Sequence, residues 1–362
     1  MKKQVKLERR LNFGNAHEEE SRGGLKRVMN EPDWSSIPAQ VRDAQDLGYD
    51  VLLSAEIPID PYFPLVIASQ VPGTMTLGTG IAVALSRSPV STAYSAWELQ
   101  RMSGGRFMLG LGSQVKAHIT RRFSMPWSSP AERMKEYIQL VKACWRTWQT
   151  GEPLDFQGEI YQANLMPPGM QLPPQKHPDI PVQLAAVGDH MLAVAGEVCE
   201  GVRLHDFCSR KYIDEIAFPM LRKGFERSGR DEAQWQAFEV TGGGMIATAA
   251  NEDELAKEVL DLRKRLAFYA STPAYRVQLD IEGYGEQAAA LTDMSRQGKW
   301  GDMLSVFTEE MAHRYAAIGT HKEIASRIRE RFAGLGAIQF SMPIRRPEDR
   351  GVLKELIQDI KA

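Results

Sequence analysis

Glu56 follows the short apolar run Tyr49–Ser54, and Asp60 lies just beyond it. A carboxylate at the end of a buried strand can give or take a proton when burial raises its pKa, and it can equally cap the next helix. Leu77-Gly78-Thr79-Gly80-Ile81 sets two glycines inside a strand-like run. That marks a bulge, a ligand approaching the backbone, or a helix packed tightly over the sheet. Gly110-Leu111-Gly112-Ser113-Gln114 ends another such run and leads into Lys116 and His118. Its glycines admit a flat ring, and Ser113, Gln114 and His118 offer polar contacts, although His118 also fits a solvated helix. Ala185-Ala186-Val187-Gly188-Asp189 joins a strand to a helix, where backbone N–H groups favour a phosphate. Asp189 also reads as the N-cap of that helix, which would compete with an anion. His205-Asp206 ends the following strand, and Gly242-Gly243-Gly244 leaves room near a barrel axis or forms a bulge.

Other chemistries lack their residues. The histidines at 17, 118, 177, 190, 205, 313 and 321 form neither H-x-x-x-H nor H-E-x-x-H, so no metal site is expected. G-x-S-x-G is missing, which removes support for acyl transfer. The early strands are not followed by G-x-G-x-x-G, and the G-x-x-x-x-G-K-[ST] phosphate loop does not occur. Cys144, Cys199 and Cys208 are few, odd in number and never spaced C-x-x-C, which argues against a disulfide framework or structural zinc.

Strands and helices must alternate to place these residues. A first strand fits Val5–Leu11. Further strands fit Tyr49–Ser54, Met75–Leu85, Arg106–Gly112, Ile180–Val187, Gly201–His205, Phe238–Ala247 and Ala337–Met342. Helices fit Pro38–Leu47, Pro61–Gln70, Pro89–Met102, Pro130–Gln149, His190–Cys199, Lys211–Ser228, Glu252–Ala270, Met303–Ala316, Lys322–Phe332 and Val352–Ile360. Trp145 and Trp148 on the long fourth helix read as core or interface rather than a cofactor platform. Thr272–Gly301 gives no clear pattern. Residues 12–34 look like an extended, polar first loop, and residues 152–178 look like a surface insertion with a small hairpin. About eight β/α units in one domain over 1–362 point to a (β/α)8 TIM barrel with insertions, whose site lies at the C-terminal ends of the strands. An open doubly wound sheet is the rival.

Composition sets the class. The chain has 362 residues, 43% hydrophobic and 25% charged, which suits a globular protein with a sizeable core. Its net charge of −2, from 44 basic and 46 acidic side chains, does not suit a nucleic-acid binder. No apolar run reaches the ~18–20 residues of a membrane span and no secretory signal is visible, so a cytoplasmic location is expected.

Ser86-Arg87-Ser88-Pro89, Ala96-Trp97-Glu98-Leu99-Gln100 and Ser103-Gly104-Gly105-Arg106-Phe107-Met108-Leu109-Gly110-Leu111-Gly112-Ser113-Gln114 resemble the bacterial-luciferase-like flavin and deazaflavin oxidoreductases. The likeness is greatest to the coenzyme F420-dependent subgroup. Ala55-Glu56, Asp60-Pro61, Met125-Pro126-Trp127, Ala185-Ala186-Val187-Gly188 and Ile318-Gly319-Thr320 before Arg329-Glu330-Arg331-Phe332 match as well. The resemblance implies a luciferase-like (β/α)8 barrel that binds a tricyclic ring at its C-terminal mouth. It implies a cis peptide at Gly80–Ile81, ring contacts from Ser113, Gln114 and His118, and contacts from Ala186, Val187 and Gly188 to the cofactor's phosphate-bearing tail. Where deazaflavin enzymes frequently carry Asp-His, this chain has Ala55-Glu56, so Glu56, with His118 or His205, is the expected proton carrier.

The expected reaction is hydride transfer between F420 and a small organic substrate. An FMNH2-dependent monooxygenase served by a flavin reductase is the alternative. A non-catalytic barrel and a metal-dependent barrel hydrolase are the readings from other classes. Barrels of this family often pair as homodimers, and the extended first loop could serve as a lid or a dimer contact.

Overall fold

The structure is a computed structural model, and it describes residues 5–13, 16–21, 24–29 and 31–362, with the backbone alone over 16–21 and 24–29. The chain divides into two compact units. One is Glu8–Leu184; the other is Ala185–Ala362 together with the N-terminal residues through Leu7. Eight parallel strands carry the candidate residues: β1 (Lys6–Arg10), β2 (Val51–Ser54), β3 (Thr76–Thr79), β4 (Phe107–Gly112), β5 (Val182–Ala186), β6 (Gly201–Leu204), β7 (Glu239–Gly242) and β8 (Ala337–Gln339).

In the first unit β1 pairs with β2, β2 with β3, β3 with β4 and β4 with β5, all parallel. β2 reads V-L-L-S and β4 reads F-M-L-G-L-G, and every residue of both is buried. Continuous burial is what a parallel strand covered on both faces requires. The helix Ile37–Leu47 buries Ile37, Val41, Ala44 and Leu47, one stripe at helical spacing, and Gly48 ends it with φ of 96°. Pro89 opens the helix Pro89–Met102, and Pro130 opens Pro130–Thr150. Trp145 and Trp148 are core, as expected, with Trp148 against the rings of Trp97 and Tyr94.

Met75–Leu85 is not one strand. It breaks after Thr79, the peptide Gly80–Ile81 is cis as the resemblance implies, and pairing with β4 resumes at Ala82–Val83 before a 3-10 turn, Ala84–Ser86. Of the readings of these glycines the bulge is present, and the close neighbours are side chains of the adjacent strands rather than a helix. A Cβ on Gly78 would lie 2.6 Å from Met108 Cε, and one on Gly80 would lie 2.9 Å from Leu53 Cδ1.

The first loop contains an antiparallel hairpin, Ala16–Ser21 with Gly24–Met29. Its stem is tied down at Asn12, which exchanges hydrogen bonds with the Gln40 side chain (2.8 and 2.7 Å). The lid and dimer readings of this loop depend on side chains outside the described residues. The 152–178 insertion carries the small hairpin, Phe156–Gln157 with Gln162–Ala163. The Glu136 carboxylate holds its turn by accepting from the N–H groups of Glu159, Ile160 and Tyr161.

In the second unit β6 pairs with β7 and β7 with β8. Phe238–Ala247 is also two strands rather than one. Gly242, Gly243 and Gly244 have φ of 81°, 85° and 157°, and Met245–Ala249 leaves to pair with Ala316–Thr320. The strand Ala316–Thr320 was not expected from the sequence. It follows the helix Glu309–Tyr315 directly, with no glycine or proline to punctuate the change. Lys211–Ser228 is helical but uneven: five residues, Ile213–Ala217, widen to a π turn just ahead of Pro219, which has no N–H to continue the ladder. Thr272–Gly301 contains the helices Arg276–Asp280 and Gly285–Arg296. They pack with Leu255, Leu262, Leu266, Phe307 and Tyr315 in a core of their own.

Candidate functional site

In the first unit Glu56 lies two residues past β2, and its backbone N–H donates to Ile81 O (3.1 Å). Its side chain is 6% exposed. Oε2 accepts from the Val83 N–H at 2.7 Å, and Oε1 accepts from the Arg87 guanidinium at 2.8 Å. Glu56 therefore holds the chain from Ile81 to Val83, where pairing with β4 resumes. Burial raises its pKa, against the opposing effects of the Val83 N–H and Arg87. Arg87 also lies 3.6 Å from Asp60 and packs over the Tyr62 ring. Asp60 accepts from the Tyr62 N–H (2.9 Å) at the start of the helix Tyr62–Ser69, so it does cap, as a strand-end carboxylate can. Ser54 Oγ, at the end of β2, is buried with no hydrogen-bond partner among the described residues.

After β4 the chain turns at Gln114, whose φ of 59° is left-handed, an uncommon conformation for a side-chain-bearing residue. The Ser113 hydroxyl donates to Gln114 O, and Gln114 Oε1 accepts from the Val115 N–H. His118 follows on the short helix Lys116–Arg121, with an exposed imidazole. Arg122, just past it, donates to Ile57 O (2.8 Å) and so ties this loop to the loop bearing Glu56.

The S-G-G-R-F block has a structural task. Gly104 and Gly105 (φ 67° and 91°) end the helix, and a Cβ on Gly105 would strike the His177 ring at 2.6 Å. The Arg106 guanidinium then donates to Ser103 O, Met75 O, Ser69 O and Val71 O at 2.8–3.2 Å. A lysine has three donors at one point and cannot span four carbonyls. Arg106→Lys is therefore expected to cost about 1–3 kcal/mol of stability, read from the urea midpoint, with cofactor affinity unchanged.

In the second unit Ala186, Val187 and Gly188 lead from β5 into the helix Asp189–Val198. The N-cap is Gly188 rather than Asp189, which is the first helical residue. Asp189 thus makes no side-chain cap bond, although its carboxylate remains in the first turn of the helix. A Cβ on Gly188 would meet open space, and Val187 O accepts from the Tyr212 hydroxyl. These are features that fit an anionic tail at a helix N-terminus.

His205 lies one residue past β6, stacked on Tyr275 (4.3 Å between centroids) with its ring edge-on to Tyr269 (4.8 Å). Its Nδ1 accepts from the Phe207 N–H at 2.9 Å. In the neutral ring that bond leaves the proton on Nε2. Burial pushes the Tyr275 hydroxyl up to about 12, so it stays protonated at neutral pH.

Several participants were not recognised in the sequence. Arg87 lies inside a quoted block but had no role until the fold set it against Glu56. Arg331 likewise lies inside a quoted stretch without a role there; its guanidinium, depressed to about 10 by burial, donates to Cys208 O and Gly243 O. Among the described residues no group of three His, Cys, Asp or Glu could hold a metal ion, and no helix is long and apolar enough to cross a membrane.

The fold these strands and helices define is a luciferase-like (β/α)8 barrel. The chain matches the family described as luciferase-like monooxygenase over residues 13–339, and it belongs to that family. The uncharacterised protein Rv1360 of Mycobacterium tuberculosis is 38% identical over 346 residues, covering 94% of this chain and 99% of its own. The 5,10-methylenetetrahydromethanopterin reductase of Archaeoglobus fulgidus is 25% identical over 332 residues, 89% of this chain and 94% of that one. The structure of the coenzyme F420-dependent tetrahydromethanopterin reductase from Methanopyrus kandleri superposes with a TM-score of 0.74 at 19% identity, covering 99% of each chain. At that identity the likeness is one of fold. Membership places the chemistry of this chain among the luciferase-like oxidoreductases and monooxygenases.

Proposed function

We propose that the protein is an F420-dependent oxidoreductase that moves hydride between the deazaflavin and a small organic substrate. The observation that carries this reading is Glu56: a buried carboxylate of raised proton affinity, at the C-terminal end of a barrel strand, held by Val83 and Arg87. That is where this fold places reacting groups, and a partly desolvated carboxylate there can take up and release a proton. A Mycobacterium tuberculosis relative named a putative coenzyme F420-dependent oxidoreductase, 26% identical over 316 residues, supports the choice of cofactor. F420, when bound, supplies or accepts the hydride at C5 of its ring.

The protein's residues do the rest. Gly80, Ile81, Ser113, Gln114 and His118 are the proposed ring contacts. Ala186, Val187 and Gly188 are the proposed contacts to the phosphate-bearing tail. Glu56 holds the proton that accompanies the hydride. His205 and His118 are proposed beside Glu56 in the proton step.

Titration of purified protein with F420 and FMN side by side, followed by fluorescence quenching, tests the reading. Tight binding of F420 alone supports it. Tight binding of FMN alone would replace it with a flavin monooxygenase that needs a reductase, the chemistry named by the family. Binding of neither would leave a non-catalytic barrel.

Gly188→Asp is a sharper check on the tail contacts. The side chain has room, so folding is expected to be unchanged. The added carboxylate is expected to weaken F420 binding about tenfold, or ~1.4 kcal/mol. Unchanged affinity in the same titration would place the tail elsewhere.

A further inference from the structure

We propose that Arg87 is the positioning residue that sets the charge state of Glu56, and through it the pH range in which the proton step runs; this rests on the hydride-transfer reading above. Arg87 touches Glu56 Oε1 (2.8 Å), lies 3.6 Å from Asp60, and is backed by the buried Tyr62 ring 5.3 Å away. Its guanidinium is thus shared between two carboxylates of one loop.

The charges around Glu56 pull in opposite directions. Burial and Asp60 favour the neutral acid, whereas Val83 N–H, Arg87 and Arg122 favour the carboxylate. Tyr62, whose hydroxyl burial pushes up to about 12, stays neutral and adds no charge. Of the two cations, Arg122 spends a donor on Ile57 O, whereas Arg87 bonds the carboxylate directly. Of the two cations, Arg87 is therefore the one whose removal changes Glu56 more. When the substrate is oxidised, hydride leaves its carbon for the deazaflavin and one proton leaves its heteroatom for the Glu56 carboxylate; the substrate loses two electrons and two hydrogens. A carboxylate kept ionised by Arg87 is ready to accept that proton.

Linkage gives a test that needs no activity. A carboxyl group whose pKa is raised by folding contributes stability that is present below its unfolded pKa and lost as pH rises through its folded pKa. Arg87→Met raises the folded pKa of Glu56 further, so the variant should match the parent in melting temperature at acid pH and fall progressively below it as pH rises. Arg87→Lys, which keeps the charge, should restore most of the difference, and a Glu56→Gln background should abolish its pH dependence. In the F420 reaction, the acidic limb of kcat/KM should move to higher pH in Arg87→Met.

A constant melting difference at every pH would overturn the proposal, since a merely structural arginine would give that result. So would F420 turnover with an unmoved acidic limb. A pH-dependent melting difference in a protein that binds no F420 would uphold the control of Glu56 by Arg87 and defeat the hydride-transfer reading instead.

Discussion

Glu56→Gln is expected to lower turnover with F420 by at least about 100-fold, the usual contribution of a positioned acid or base. Cofactor affinity should stay within a few-fold. The amide matches the carboxylate in shape, so its oxygen can still accept from Val83 N–H and hold the backbone beyond Thr79 in place. Its NH2 group then faces Arg87, which can swing toward Asp60, already 3.6 Å away. What the amide cannot do is exchange a proton. Steady-state kcat and a fluorescence Kd on the same preparation separate the two effects. Unchanged turnover would remove Glu56 from the proton step, and equal losses in kcat and affinity would make it a purely structural clamp.

The largest stability effect is expected at a helix crossing in the second unit. A Cβ on Gly224 would lie 1.8 Å from Ala193 O, and one on Gly196 would lie 2.1 Å from Leu221 O. Each glycine thus admits the backbone of the other helix, and no side chain can move aside to relieve a substitution. Gly224→Val must push the helices Asp189–Val198 and Phe218–Arg227 apart. Overpacking of this kind costs about 3 kcal/mol or more where backbone has to shift, a large part of the ~5–15 kcal/mol that stabilises a typical domain. The same displacement moves the N-terminus at Gly188, so F420 affinity should fall as well. Urea unfolding measures the first effect. A midpoint close to the parent's would show that the crossing yields easily.

These predictions differ in how far the sequence foresees them. Glu56 was visible because a carboxylate directly after an apolar run lands at the catalytic end of a barrel strand. Gly196 and Gly224 carry no local signal, since a glycine inside a helical pattern reads as a weak helix former until the neighbouring backbone is in view. Arg106 was conspicuous in its block, yet its four carbonyl partners come from three separate stretches of chain. His205 was legible as a strand-end residue, but its tautomer depends on the Phe207 N–H, a matter of backbone direction.

Local chemistry set most of the element order. Gly48 and Gly151 stop helices, Pro89 and Pro130 start them, and short runs of valine, leucine and alanine bounded by glycine suit a covered parallel strand. Those preferences act within a few residues, so they can be read directly from the order of amino acids. The tertiary structure decided what depends on distant partners. It divided Met75–Leu85 at Gly80 and Phe238–Ala247 at Gly242. It made a strand of Ala316–Thr320 by pairing it with Met245–Ala249. It also brought Arg87 to Glu56 across 31 positions of sequence. Pairing and charge depend on what lies across a gap of a few ångströms, and that is settled only when the chain has folded.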